Sequence, residues 1–182
     1  MTRIPILLPE NMTDDQRQVH DTIVSGPRGA VRGPLAVWLN RPELASTAQA
    51  LGRYCRFETL LVPRLSELAI LTTARIWSSE FEWSAHKPIA LKAGLSPDII
   101  EAIRTHQNPI FEHEDEAVVY AFSRTLHTDR HIDNELYTRA VDVLGEAAVV
   151  DLTGILGYYT LISMTINVFE VHTSNGASAE LS

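Results

Sequence analysis

The chain has 182 residues, 45% of them hydrophobic, enough to enclose one core or one domain of two helical halves. Its net charge of -8, without a Lys/Arg cluster, argues against a nucleic-acid surface, because phosphate binding needs concentrated positive charge. A single cysteine, Cys55, allows no internal disulfide and reads as a small buried apolar residue rather than a reactive thiol.

Residues 1–12 read as an extended arm, with Pro5 and Pro9 keeping the backbone out of a helix. The apolar run in this arm is too short for a signal peptide, so the cytoplasm is the expected compartment. Thr13 and Gln16 form a capping-box pattern that starts a helix running to residue 25. Gly26, Pro27, Gly29, Gly33 and Pro34 then break the chain into a loop carrying Arg28 and Arg32. Two guanidinium groups on such a turn suit a carboxylate clamp over a site, but the simpler reading, preferred here, is a solvated connector. A short helix over residues 35–39 bears Trp38, and Pro42 opens another to residue 57 with Leu44, Ala48, Leu51, Tyr54 and Cys55 inward. Trp38, Trp77 and Trp83 are expected in the core, although a pocket for a planar unsaturated acid would use such walls.

The stretch 64–95 carries the chemistry. Leu65, Leu68, Leu71, Ala74 and their neighbours recur at helical spacing behind Pro63, predicting a helix over 62–78. A second helix follows from 79 and stops at Gly94, with a kink or reset expected at Pro88. Glu82 and His86, four apart, project together, and antiparallel packing of the two helices would bring Glu67 to them. Arg64 and Arg75 continue the stripe of Glu67 and are candidate carboxylate anchors.

After Gly94, Ser96 caps a helix to residue 104. The acid of residues 112–116 suits the start of the next, which continues to residue 126. His127 and His131 in HTDRH have a metal-like spacing but lie in turn-like sequence with no third ligand, so no metal site is assigned. Asp133 or Asn134 caps a helix to residue 143, closed by Gly145. Residues 152–169 carry no formal charge, long enough for a membrane span. The flanking Asp151 and Glu170, and the polar residues within, fit a helix buried among helices instead. One monomer offers few partners for such a helix, so a homo-oligomer is expected. Residues 173–182, small and polar, read as a disordered tail after a single domain spanning 13–172. No strand alternation, phosphate loop, nucleophile elbow, zinc spacing or dinucleotide fingerprint occurs; the chain reads as all-α, with no cofactor indicated.

Around Glu67 the chain resembles the carboxymuconolactone decarboxylase and alkylhydroperoxidase D-like superfamily. The redox branch of that superfamily carries E-x11-C-x2-C-x3-H; this sequence has Glu67, Ser79, Glu82 and His86 at those offsets. The glutamate and histidine are retained and both cysteines replaced, and EFEWSAHKPIALKAGLS looks like the cysteine-free, decarboxylase-like branch. The similarity is best over residues 33–104, weaker over 114–169 and absent at both ends. It implies an alkylhydroperoxidase D-like helical bundle, trimers or multiples of three, and decarboxylation of a carboxylated lactone from aromatic breakdown.

Burial raises a carboxylic acid's pKa and lowers an imidazole's, a combination suited to proton transfer. The expected activity is therefore cofactor-independent decarboxylation, or related lyase chemistry, on a small unsaturated carboxylic acid or lactone. His86 would be the general acid/base, Glu67 and Glu82 its orienting or relaying partners, and Arg64, Arg75, Trp83 and Ser79 the substrate contacts. Ser79 is also read as a helix cap, and Glu80 as a substitute for Glu82. Two other classes stay open: a catalytically silent oligomer binding a small acid, and a hydroperoxide reductase, which would need a second thiol.

Overall fold

The computed structural model describes residues 2–173 and 179–181. These form nine α-helices and, among the described residues, no strand: α1 (Asp14–Ser25), α2 (Pro34–Trp38), α3 (Pro42–Phe57), α4 (Pro63–Ile76), α5 (Glu80–Lys92), α6 (Pro97–Arg104), α7 (Glu114–Asp129), α8 (Asn134–Leu144) and α9 (Glu146–Phe169). The fold is all-α.

Local chemistry accounts for most boundaries. Thr13 accepts from the Gln16 N–H while the Gln16 side chain accepts from the Thr13 N–H, closing the predicted capping box. Ser96 and Asp133 likewise cap α6 and α8. Proline opens α2, α3, α4 and α6, where its missing N–H leaves no intrahelical bond unmade. Three local features differ from expectation, the first being a 3-10 helix, Pro9–Asn11, inside the arm read as extended. α5 runs through Pro88 without a break, and α7 continues to Asp129 before Arg130 takes the left-handed conformation. His127 thus lies in α7, where its Nδ1–H donates to the Ser123 carbonyl at 2.8 Å and Nε2 meets Thr160 Oγ1 at 3.1 Å.

α4 is the central element, packed against α5, α7 and α9. Leu68, Ala69, Leu71 and Thr73 are fully enclosed, so this helix has no solvent face over its middle turns. α9 is long and apolar enough to cross a membrane by composition, but 61% of its apolar window is buried inside the fold, as a core helix requires. An apolar stripe of α9 remains outside: Val150, Leu161, Met164 and Val168 are exposed.

Residues 174–178 and 182 of the expected disordered tail lie outside the described residues. Where the tail is described the expectation is corrected: the Glu80 carboxylate accepts from the Glu180 and Leu181 N–H groups at 2.8 and 2.9 Å, and the Leu181 side chain is buried. Specific partners on α5, invisible in the tail's own composition, order these residues.

Candidate active site

The short connection 77–79 folds α5 back onto α4 and brings their middles together. There His86 is clamped between two carboxylates. Its Nδ1 lies 2.7 Å from Glu67 Oε2, and its Nε2 lies 3.4 Å from Glu82 Oε2. All three side chains are buried, His86 to 2% exposure. A carboxylate oxygen only accepts, so in the tautomer that satisfies this contact Nδ1–H donates to Glu67 and Nε2 is the nitrogen free to exchange a proton. The contact to Glu82 is poorly aligned, and that Glu82 oxygen is buried without a hydrogen-bond partner. Tyr159 from α9 stands edge-on to the imidazole at 5.2 Å between ring centres and fixes its plane.

His86 and Glu82 open onto a cavity of about 420 Å³, also lined by Arg28, Arg32, Arg56, Phe81, Tyr158 and Tyr159. Glu67 stands behind the imidazole, outside this lining. Burial pushes the Glu82 carboxyl above the usual carboxylate range; His86, Arg56 and Arg28 pull it back down, and Glu67 adds to the rise. The Tyr158 phenol is pushed up to about 12, chiefly by burial, and Tyr159 is raised by the same cause, so both stay protonated as donors at neutral pH.

Three arginines line the cavity. Arg28 and Arg32 come from the loop between α1 and α2, and Arg56 from the last turn of α3. Among the described residues none of them pairs with a carboxylate. Arg28 Nη2 reaches the Tyr158 hydroxyl at 3.4 Å while its Nε is buried without a partner, and Arg56 stacks over the Phe57 ring at 5.4 Å. The loop is therefore a wall of the cavity and not the solvated connector preferred above. Two glycines let it close in. Gly33 has φ of 57° and leaves no room beyond the Phe81 ring, and Gly52 leaves a gap filled by the Tyr158 hydroxyl and the Arg28 guanidinium.

Four of the sequence-based substrate contacts lie elsewhere. Arg64 is committed to Asp115, at 2.8 Å, and to the buried Glu116 at the start of α7. Arg75 donates to the carbonyls of Arg104 and Leu181. Trp83 is fully buried on another face of α5, its indole N–H on the Glu180 carboxylate at 3.2 Å. Ser79 is fully buried but is no side-chain cap: its hydroxyl has no partner. Glu80, the substitute for Glu82, is held by the backbone of residues 180 and 181. Arg56 was legible only as the basic end of a helix; its three-dimensional neighbours make it part of the site.

Residues 42–122 match the family model described as the Carboxymuconolactone decarboxylase family. No curated protein matches the chain in sequence. Among solved structures, the chain is similar to one titled as an alkylhydroperoxidase AhpD core, an uncharacterized peroxidase-related protein from Ralstonia eutropha JMP134. The two superpose with a TM-score of 0.78 at 13% identity, over 96% of this chain and 93% of that one. An uncharacterized peroxidase-related protein from Silicibacter sp. TM1040 gives 0.76, also at 13% identity, over 96% and 92%. The matched segment holds Arg56, Glu67, Glu82 and His86, and the chain as a whole shares the alkylhydroperoxidase AhpD-like helical fold of these solved structures.

Proposed function

We propose that the protein catalyses decarboxylation, or a closely related proton-transfer lyase step, on a small unsaturated carboxylic acid or lactone. The observation that carries this reading is an imidazole held between two buried carboxyl groups at the wall of a cavity whose other walls present three arginines that, among the described residues, pair with no acid. Such a cavity selects an anion, because guanidinium groups bind carboxylates bidentately and an occupant would satisfy the orphaned Arg28 Nε region. Arg28, Arg32 and Arg56 thus replace Arg64 and Arg75 as the carboxylate anchors.

In the proposed step the bond between the substrate carboxylate and its carbon breaks, carbon dioxide leaves, and the electron pair moves into the conjugated carbonyl as a dienolate. The arginines and the tyrosine phenols stabilise that developing oxygen charge through preorganised donors. The Glu82 carboxyl then delivers its proton to that carbon, leaving a carboxylate beside His86 Nε2, while Glu67 holds the imidazole's other nitrogen. Disulfide-based peroxide reduction, the chemistry of the redox branch, requires two thiols within bonding reach. Ser79 and Glu82 fill those offsets, and burial pushes the one thiol, Cys55, up to about 11. The exposed apolar stripe on α9 supports a homo-oligomer, in line with the trimers the resemblance implies.

The test is to incubate the protein with carboxymuconolactone and related unsaturated acids and to follow carbon dioxide release. His86→Ala is expected to lower turnover by about 100-fold or more, the usual contribution of a positioned acid/base group. Undiminished turnover in that variant would remove His86 from the mechanism. Anion binding without turnover on any acid would favour a small-acid-binding protein.

A further inference from the structure

α5 carries the two groups that face the cavity, yet it is a helix with an internal weakness. Pro88 has no N–H, so the bond it would donate back to the Ser84 carbonyl is missing, two residues from His86. A helix so interrupted needs support from outside if its side chains are to hold a fixed geometry.

That support comes from residues 179–181. Glu80, Trp83 and Lys87 are spaced three and four apart and share one face of α5, while Glu82 and His86 lie on another. The Glu80 carboxylate takes two consecutive backbone N–H groups, those of Glu180 and Leu181. The Glu180 carboxylate in turn accepts from the Trp83 indole N–H at 3.2 Å and from Lys87 Nζ at 2.5 Å. One side chain therefore ties the first turn of α5 to the turn that precedes Pro88. Lys87 and, secondarily, the Trp83 indole hold the Glu180 carboxyl below the usual carboxylate range. The segment is anchored on its far side as well, with Arg104 donating to the Glu180 carbonyl at 3.1 Å and Arg75 to that of Leu181 at 3.3 Å. Leu181 is 6% exposed and joins the main core.

We propose that residues 179–181 splint α5, and that Glu180 is a positioning residue which sets the orientation of His86 and Glu82 without touching the substrate. The inference rests on the reading of the site given above for its catalytic consequence, but its structural consequence is independent of that reading. It also explains why Arg75 and Trp83 do not serve the cavity: both serve the splint.

The experiment uses the full chain labelled with nitrogen-15. The His86 ring nitrogens and the Trp83 indole N–H are observed by NMR in the parent, Glu180→Ala and Glu180→Gln, alongside thermal melts and steady-state kinetics on any acid the parent turns over. In Glu180→Ala both the Trp83 and the His86 signals are expected to move, and kcat to fall about tenfold to a hundredfold with KM little changed, as small misplacements of catalytic groups do. Glu180→Gln keeps an acceptor for Trp83 and is expected to recover part of the loss. Should Glu180→Ala fail to fold, Lys87→Met tests the same tie from its other end. His86 signals that superimpose on the parent's while Trp83 moves would overturn the proposal, since the segment would then dock without orienting the site. An unmoved Trp83 would overturn it too, because residues 179–181 would not be docked at all. If the parent turns over no acid, the catalytic reading fails while the NMR comparison still decides the splint.

Discussion

Gly52 offers a sharp test of how the cavity wall is assembled. It lies inside α3, where alanine would be favoured over glycine by about 0.8–1 kcal/mol on helix propensity alone. The tertiary environment argues the other way. A Cβ at this position would sit 2.0 Å from the Tyr158 hydroxyl oxygen, 2.3 Å from its Cζ and 2.5 Å from Arg28 Nη2. Carbon atoms in contact want about 3.5–4.0 Å, so the phenol must retreat by more than an ångström. It has little space to do so, because its ring packs edge-on to Trp38 at 6.3 Å and to Tyr159 at 5.3 Å between centres. Overpacking of this kind costs about 1–3 kcal/mol. Set against the propensity gain, Gly52→Ala is expected to destabilise by up to about 2 kcal/mol, or up to roughly 8 °C in Tm for a chain of this size. Thermal and urea unfolding measure it. The decisive control is the same substitution in a Tyr158→Leu background, where the obstructing hydroxyl and ring edge are gone and the propensity term should make alanine neutral or stabilising. The two substitutions must therefore show a coupling energy of about 1 kcal/mol or more. Gly52→Ala that raises Tm in the parent, or costs the same in both backgrounds, would refute the close-approach account.

Three further outcomes follow from the same geometry. Glu82 has its folded-state pKa raised, so below about pH 4, where the unfolded carboxyl is also protonated, it adds no penalty, and as pH climbs the unfolded chain ionises first and stability is lost until the folded pKa is passed. Glu82→Gln should accordingly raise Tm near pH 8 and lose that advantage by about pH 4, as melts across pH would show; a gain independent of pH would contradict the assignment. Arg64→Met leaves the buried Glu116 without its partner and should cost about 3 kcal/mol in urea unfolding, while turnover per folded molecule stays unchanged. Arg28→Met and Arg56→Met should each weaken binding of an anionic substrate by about tenfold, seen in KM or in titration calorimetry, with a Tm shift within a few degrees for Arg56→Met.

The candidate trio of Glu67, Glu82 and His86 was legible because its geometry is nearly local. Glu82 and His86 are fixed by one turn of helix, and Glu67 required only that two helices joined by a short connection pack against each other. The anchors were not legible because their placement is entirely tertiary. Arg64 and Arg75 share a helix with Glu67, yet Arg64 is captured by Asp115 and Glu116, 51 and 52 positions along the chain, and Arg75 by carbonyls of residues 104 and 181. The acidic run at 112–116 was read only as the start of a helix, although the charge of Asp115 and Glu116 also has to be met across the interface with α4. Arg28 and Arg32 sit in a glycine-rich stretch that does not declare which way it folds. The available hint was Gly52, a residue that costs α3 stability and so implies something pressed against it. Glu180 and Leu181 show the opposite failure: small polar neighbours signal disorder, while two residues among them have exact partners on α5.

A carboxyl stands at position 82, where the redox branch that the chain resembles has a thiol, and under the proposed reaction α5 would deliver protons rather than electrons. Its surroundings also give it a way to respond to an occupant. Arg28 and Arg56 are among the groups that hold the Glu82 proton affinity down, and neither is otherwise neutralised among the described residues. An anion seated against those guanidinium groups would cancel much of their field at Glu82, and Coulomb's law then requires the carboxyl to hold its proton more tightly. Under the proposed reaction, binding of the acid would thus load the proton that the departing carbon dioxide leaves a place for, and an empty cavity would leave Glu82 closer to ionisation. The arginines would then serve twice, as anchors for the substrate and as the reason that proton is present when the carbon needs it.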